Sequence, residues 1–132
     1  MNIKQNSLVA VADGETAALF QNTSSSEIKL KSLGDMELSY LDDKGPSTLP
    51  EEVTDKEIEE ATFAKHIASD LYKRAQKGDF DQLVLIADPQ TLGQIRPKLH
   101  HEVKQRLVCQ IAKTLTNSPT EDIEKAIEKA ED

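Results

Sequence analysis

The 132-residue sequence reads as a single α/β domain on a mixed, roughly five-stranded sheet, with elements in the order βββ-α-β-α-β-α. Three observations carry that expectation. Asp13-Gly14 lies between two short apolar runs near the amino end, a strong hairpin signal. Ile58, Ala61, Ala64, Ile67, Ala68, Leu71 and Ala75 form one stripe at helical spacing that stops at Gly78. Leu83–Ala87 is apolar at every position, as expected of a strand covered on both faces at the centre of the sheet.

The elements follow in order. Ser7–Ala12 is a strand, Asp13-Gly14 a two-residue turn, and Glu15–Phe20 the returning strand. Gln21–Ser26 is a polar turn. In Glu27–Leu33, Ile28 and Leu30 alternate with Lys29 and Lys31, the period of a half-buried strand, and Met36, Leu38 and Tyr40 can extend it past a bend at Gly34. Asp42–Val53 is a polar loop broken by Pro46 and Pro50; with four acids and little apolar anchoring, it is expected to be the most mobile internal segment. Thr54 and Glu57 have capping-box spacing at the start of the long helix.

Past Leu83–Ala87, Asp88 and Pro89 suit the N-cap and first position of a short helix reaching about Ile95. Pro97 is expected to open another helix with Leu99, Val103 and Leu107 inward, and Val108–Ile111 to form a last strand. Ser118, Pro119 and Glu121 restate a helix start, so residues 117–132 carry a final helix with Ile123, Ala126, Ile127 and Ala130 on its apolar side. Three antiparallel strands followed by alternating helices and strands is a ribonuclease-H-like order.

Composition narrows the function classes. The net charge of −8 argues against a general binder of nucleic acid, free DNA included. Charge is unevenly placed: residues 27–60 hold eleven acids against four bases, whereas residues 96–113 hold Arg96, Lys98, Lys104, Arg106 and Lys113 against Glu102 alone. These five cations are the candidate contact for RNA or a ribosome. The segment contains no interleaved aromatic, so base stacking is not expected of it. No run of about 18 apolar residues exists, so no membrane insertion is expected. The start, Met-Asn-Ile-Lys-Gln-Asn-Ser, has no basic region leading into an apolar one, so no signal peptide is expected. The single Cys109 excludes an internal disulfide framework and fits a cytoplasmic location; its neighbours Leu107, Val108 and Ile111 mark it as a core thiol.

Metal-dependent nuclease chemistry would need carboxylates from the first strand, the long helix and the fourth strand. Asp13, Asp88 and Glu57, Glu59 and Glu60 are so distributed, yet turn, cap and first-turn roles explain each more economically. His100 and His101 are adjacent and point about 100° apart on a helix, and His66 with Asp70 lacks a visible third ligand. No nucleophile elbow, phosphate-binding glycine loop or paired-cysteine motif is present. Neither a catalytic residue nor a cofactor or metal is expected.

An ordered set of short motifs covers most of the chain. It begins with Val11-Ala12-Asp13-Gly14 and Ala17-Ala18-Leu19-Phe20, and is densest from Phe63-Ala64 through Leu71, Ala75, Gly78, Phe80-Asp81, Leu83–Pro89, Leu92-Gly93 and Arg96. It closes with Val108, Ile111, Lys113, Leu115-Thr116 and Pro119. In this set the chain resembles the bacterial host-attachment family, proteins described as required for attachment to host cells. That family is similar in fold to the middle domain of eukaryotic peptide-chain release factors, so the resemblance implies a release-factor-middle-domain-like fold and, for some relatives, action in ribosome rescue. The chain departs from the family pattern at Ala87-Asp88-Pro89, where Ala-Pro-Pro is usual, and at Gln110 and Thr114, where Glu and Asp are common. The segment before the long helix also lacks the usual basic, serine-containing stretch. The loop Asp42–Val53 holds no Gly-Gly-Gln and no glutamine, so peptidyl-tRNA hydrolysis lacks the residue the resemblance would supply for it. The resulting expectation is a non-catalytic cytoplasmic interaction or regulatory domain with a protein partner. The alternative is a ribosome- or tRNA-associated rescue factor.

Overall fold

The computed structural model describes residues 3–13, 16–35 and 55–130, with the backbone alone described over 55–62. The Asp42–Val53 loop, the Met36–Tyr40 extension and the Thr54–Glu57 side-chain pair lie outside the described residues.

Five strands, β1 (Leu8–Ala12), β2 (Ala17–Asn22), β3 (Leu30–Asp35), β4 (Leu83–Ala87) and β5 (Leu107–Ala112), form one sheet in the order β3-β2-β1-β4-β5. β2 runs antiparallel to both β1 and β3, whereas β4 runs parallel to both β1 and β5. The α-helices among the described residues are α1 (Asp55–Gln76), α2 (Pro89–Ile95), α3 (His101–Arg106) and α4 (Thr120–Lys129). The order is that expected, a single mixed α/β domain. The middle position belongs to β1, however, with β4 beside it. Leu8–Ala12 is buried at every position just as Leu83–Ala87 is, so continuous apolarity marks the two interior parallel strands rather than one central strand.

Strand alternation divides the core in two. Leu8, Ala10 and Ala12 of β1 and Leu83, Leu85 and Ala87 of β4 face α1, α2 and α3, which contribute Phe63, Ile67, Leu71, Leu92, Ile95 and Val103. Val9, Val11, Val84 and Ile86 face the other way, where α4 covers them with Ile123 and Ile127. Gly78 ends α1 at φ +72°, with its N–H on Ala75 O at 3.0 Å and the Asp79 N–H on Arg74 O at 3.0 Å, a Schellman closure.

Several boundaries differ from expectation, each for a local reason. Ala12 pairs with Ala17, so four residues join β1 to β2 instead of two. The Asp13 carboxylate accepts the Thr16 N–H at 2.8 Å, which fixes Asp13 ahead of the turn. β2 continues to Asn22, within the expected polar turn, because the Asn22 amide is wholly buried in hydrogen bonds to backbone. β3 starts at Leu30 rather than Glu27, and its alternation breaks: pairing passes from Leu19↔Gly34 to Phe20↔Ser32, leaving Leu33 as the extra, 45% exposed residue of a bulge. Pro97 opens no full helix. Arg96–Lys98 is one 3-10 turn, Leu99 and His100 are extended, and α3 begins at His101. β5 takes the strand conformation expected of Val108–Ile111, one residue longer at each end.

Candidate nucleic-acid interface

Arg96 and Lys98 lie in the 3-10 turn, Lys104 and Arg106 on α3, and Lys113 one residue past β5. Arg96, Lys98, Lys104 and Lys113 are exposed, and Arg106 is half-buried. Arg106 immediately precedes β5 and Lys113 follows it, so the six-residue strand holds them roughly 20 Å apart. The strand therefore sets Lys113 at the opposite end of β5 from the other four, which all precede it. Adjacency in sequence had joined residues that an extended strand separates.

Among the described residues, Arg96, Lys98, Lys104 and Arg106 have no carboxylate ion-pair partner. Lys98 Nζ donates to Gln94 O at 3.3 Å and Arg106 Nη1 to Glu102 O at 3.0 Å. The first places positive charge near the carboxyl end of α2, where the dipole favours it. Among the described residues, ion pairs join Lys29 to Glu27 at 3.6 Å and Arg74 to Asp70 at 2.7 Å, neither within this surface.

The basic segment holds no interleaved Phe, Tyr or Trp of its own, but α1 brings one beside it. Tyr72 stacks on His100 with ring centroids 3.8 Å apart and an interplanar angle of 18°. Tyr72 is half-buried at the margin of the apolar stripe, beside buried Leu71, while His100 is exposed. Its Nδ1 accepts the Glu102 N–H at 3.1 Å, capping α3 and leaving the ring proton on Nε2. Lys104 lies one helical turn beyond, its N–H on His100 O at 3.0 Å. A tyrosine at the edge of a helical stripe was the available sequence signal. What it lacked was the packing partner.

The carboxylates follow their turn and cap roles. Ala12 pairs with Ala87, so Asp13 and Asp88 are neighbours past the carboxyl ends of adjacent parallel strands. Asp13 accepts from Thr16 N–H and from Thr116 Oγ1, the latter at 2.9 Å. Asp88 caps α2 by accepting the Thr91 N–H at 3.1 Å, behind Pro89 at the first position. Among the described residues no group of three or more His, Cys, Asp and Glu side chains could hold a metal ion. The side chains of Glu57, Glu59 and Glu60 lie outside the described residues. His101 turns away from His100 to Gln105, at 2.9 Å between Nε2 atoms. Cys109 is a buried, unbridged thiol on β5. A polar cleft of about 360 Å³ opens at the amino ends of β1 and β4, lined in part by Lys4, Ser7, Gln21 and Gln82. No helix among the described residues is long and apolar enough to cross a membrane.

A family model described as bacterial archaeo-eukaryotic release factor family 12 matches residues 6–127. No curated protein matches the chain. Among solved structures, the chain is similar to an archaeal translation termination factor, aRF1, with a TM-score of 0.56 and 17% identity over 96% of this chain and 36% of that one. It is also similar to a structure titled only as an archaeal protein, with a TM-score of 0.54 and 16% identity over 94% of this chain and 34% of that one. The chain thus spans about a third of the length of the structures it matches, and at these identities the likeness is one of fold.

Proposed function

The chain belongs to bacterial archaeo-eukaryotic release factor family 12, and from that premise we propose that it is an RNA-binding factor that associates with the ribosome or with tRNA. The observation that carries this reading is the family match over nearly the whole chain. The family match and the fold favour it over a host-attachment role. The surface formed by Arg96, Lys98, Lys104 and Arg106 supplies a contact of the required sign in an otherwise acidic molecule. The proposed role is binding without peptide release, since the chain contains no Gly-Gly-Gln. The cytoplasm, where ribosomes are, is its proposed location.

Co-sedimentation with bacterial ribosomes tests the proposal. Binding at low salt and release at high salt is expected, because phosphate contacts displace counterions. Lys104→Glu with Arg106→Glu should weaken that binding and flatten its salt dependence, whereas Lys113→Glu, at the far end of β5, should change it little. Absence from the ribosomal fraction at low salt would overturn the reading. The second reading, a non-catalytic interaction or regulatory domain with a protein partner, is favoured by one observation, the net charge of −8.

A further inference from the structure

The geometry points to the outer face of the His100 ring as a stacking platform for one unpaired RNA base, with Arg96, Lys98 and Lys104 holding the phosphates on either side. This inference rests on the RNA-binding reading above and adds to it which form of RNA is bound and by which group.

Three features converge. First, the ring is fixed in orientation. Tyr72 stacks against one face at 3.8 Å, and the Glu102 N–H holds Nδ1 at 3.1 Å. A ring held by two contacts loses little side-chain freedom when a base settles on it. Second, Tyr72 covers only one face, and His100 remains exposed. A half-buried tyrosine beneath an exposed imidazole presents a flat aromatic surface backed by a second ring. Third, the flanking charges are positive on both sides along the chain. Lys104 is one turn into α3, while Arg96 and Lys98 occupy the preceding 3-10 turn. Glu102, the acid of this segment, stands on the face of α3 shared with Arg106, whose guanidinium rests on its carbonyl at 3.0 Å.

An aromatic plane beside cations is how proteins take single-stranded RNA, because every base has a stackable face and every link a phosphate. Duplex RNA keeps its bases stacked internally and has no base to offer the ring. The occupant is therefore a nucleotide in a loop, a bulge or a single-stranded end.

The test separates stacking from charge and from fold. His100→Asn keeps a side-chain acceptor at the N-cap of α3 and removes the ring; circular dichroism should confirm an unchanged fold. The probe is a fluorescently labelled single-stranded RNA decamer, with a duplex RNA of equal length as control. Wild-type protein should prefer the single strand. His100→Asn should lose about tenfold in affinity with its salt slope intact, and His100→Phe should retain binding. Lys98→Glu with Lys104→Glu should flatten the salt slope instead. Equal binding of the single strand by wild type and His100→Asn would overturn the platform, as would a preference for the duplex. Ribosome co-sedimentation without single-strand binding would also overturn it, leaving the broader reading in place. Failure in both assays would remove both.

Discussion

Thr116 Oγ1 donates to Asp13 Oδ2 at 2.9 Å, joining the segment after β5 to the turn after β1. The bond crosses the carboxyl end of the sheet past β4, the strand that lies between β1 and β5. The other Asp13 oxygen accepts the Thr16 N–H at 2.8 Å, so one carboxylate organises a hairpin and a distant loop together.

The two roles separate by substitution. Thr116→Val should cost about 1.5 kcal/mol, the low end for a hydrogen bond to a charged acceptor because this one is only part-buried. Asp13→Ala removes the turn acceptor as well and should cost about 2 kcal/mol. Urea unfolding at neutral pH measures both, and equal losses would show that the turn bond contributes nothing.

Asn22 carries a larger share. Its Nδ2 donates to Ile3 O, Lys4 O and Ser24 O at 3.2, 3.1 and 2.9 Å, and its Oδ1 accepts the Lys29 N–H at 2.9 Å. Asn22→Leu preserves volume but strands these backbone groups in a buried place, and should destabilise by about 3 kcal/mol. A midpoint shift in denaturant with an unchanged slope is the expected signature.

Gly78 isolates a backbone effect. An added Cβ would meet nothing within 4 Å, yet φ is +72°. Gly78→Ala should therefore cost about 1 kcal/mol through conformation alone. Gly78→Asn should cost less, since asparagine tolerates this region. A loss above about 3 kcal/mol for the alanine variant would mean that the turn is packed more tightly than the geometry shows.

Cys109 should resist thiol reagents in the native protein. It is 8% exposed, pairs with Val84 across the β4–β5 ladder and belongs to the same buried cluster as Ile86 and Ile123. Labelling should proceed at the rate of local opening and become fast only in denaturant. Immediate native labelling would contradict the burial.

Elements defined by neighbouring residues were readable in the sequence. Asp88, Pro89 and Thr91 make the start of α2 from adjacent positions, and Ala64, Ile67, Leu71 and Ala75 need only helical period to share a face. Features set by contact between distant segments were not. The bulge at Leu33 depends on the register of β2, the length of β2 depends on where Asn22 finds carbonyls, and the ring beside the basic segment comes from α1. Lys113 shows the converse: it is close to the other cations along the chain but not in space, because a strand intervenes.

The two faces of the sheet are covered by different stretches of chain. α1, α2 and α3 precede β5, whereas α4 follows it, and its Glu124 accepts the Leu30 N–H of the edge strand β3 at 2.8 Å. During synthesis, at roughly 5–20 residues per second, all five strands leave the ribosome before the helix that covers Val9, Val11, Val84 and Ile86. A chain whose α4 has not yet docked would present an open apolar sheet face and an untethered β3 edge, the surface that chaperones recognise and that aggregation exploits. For this protein, the docking of α4 is the step at which the sheet passes from vulnerable to closed.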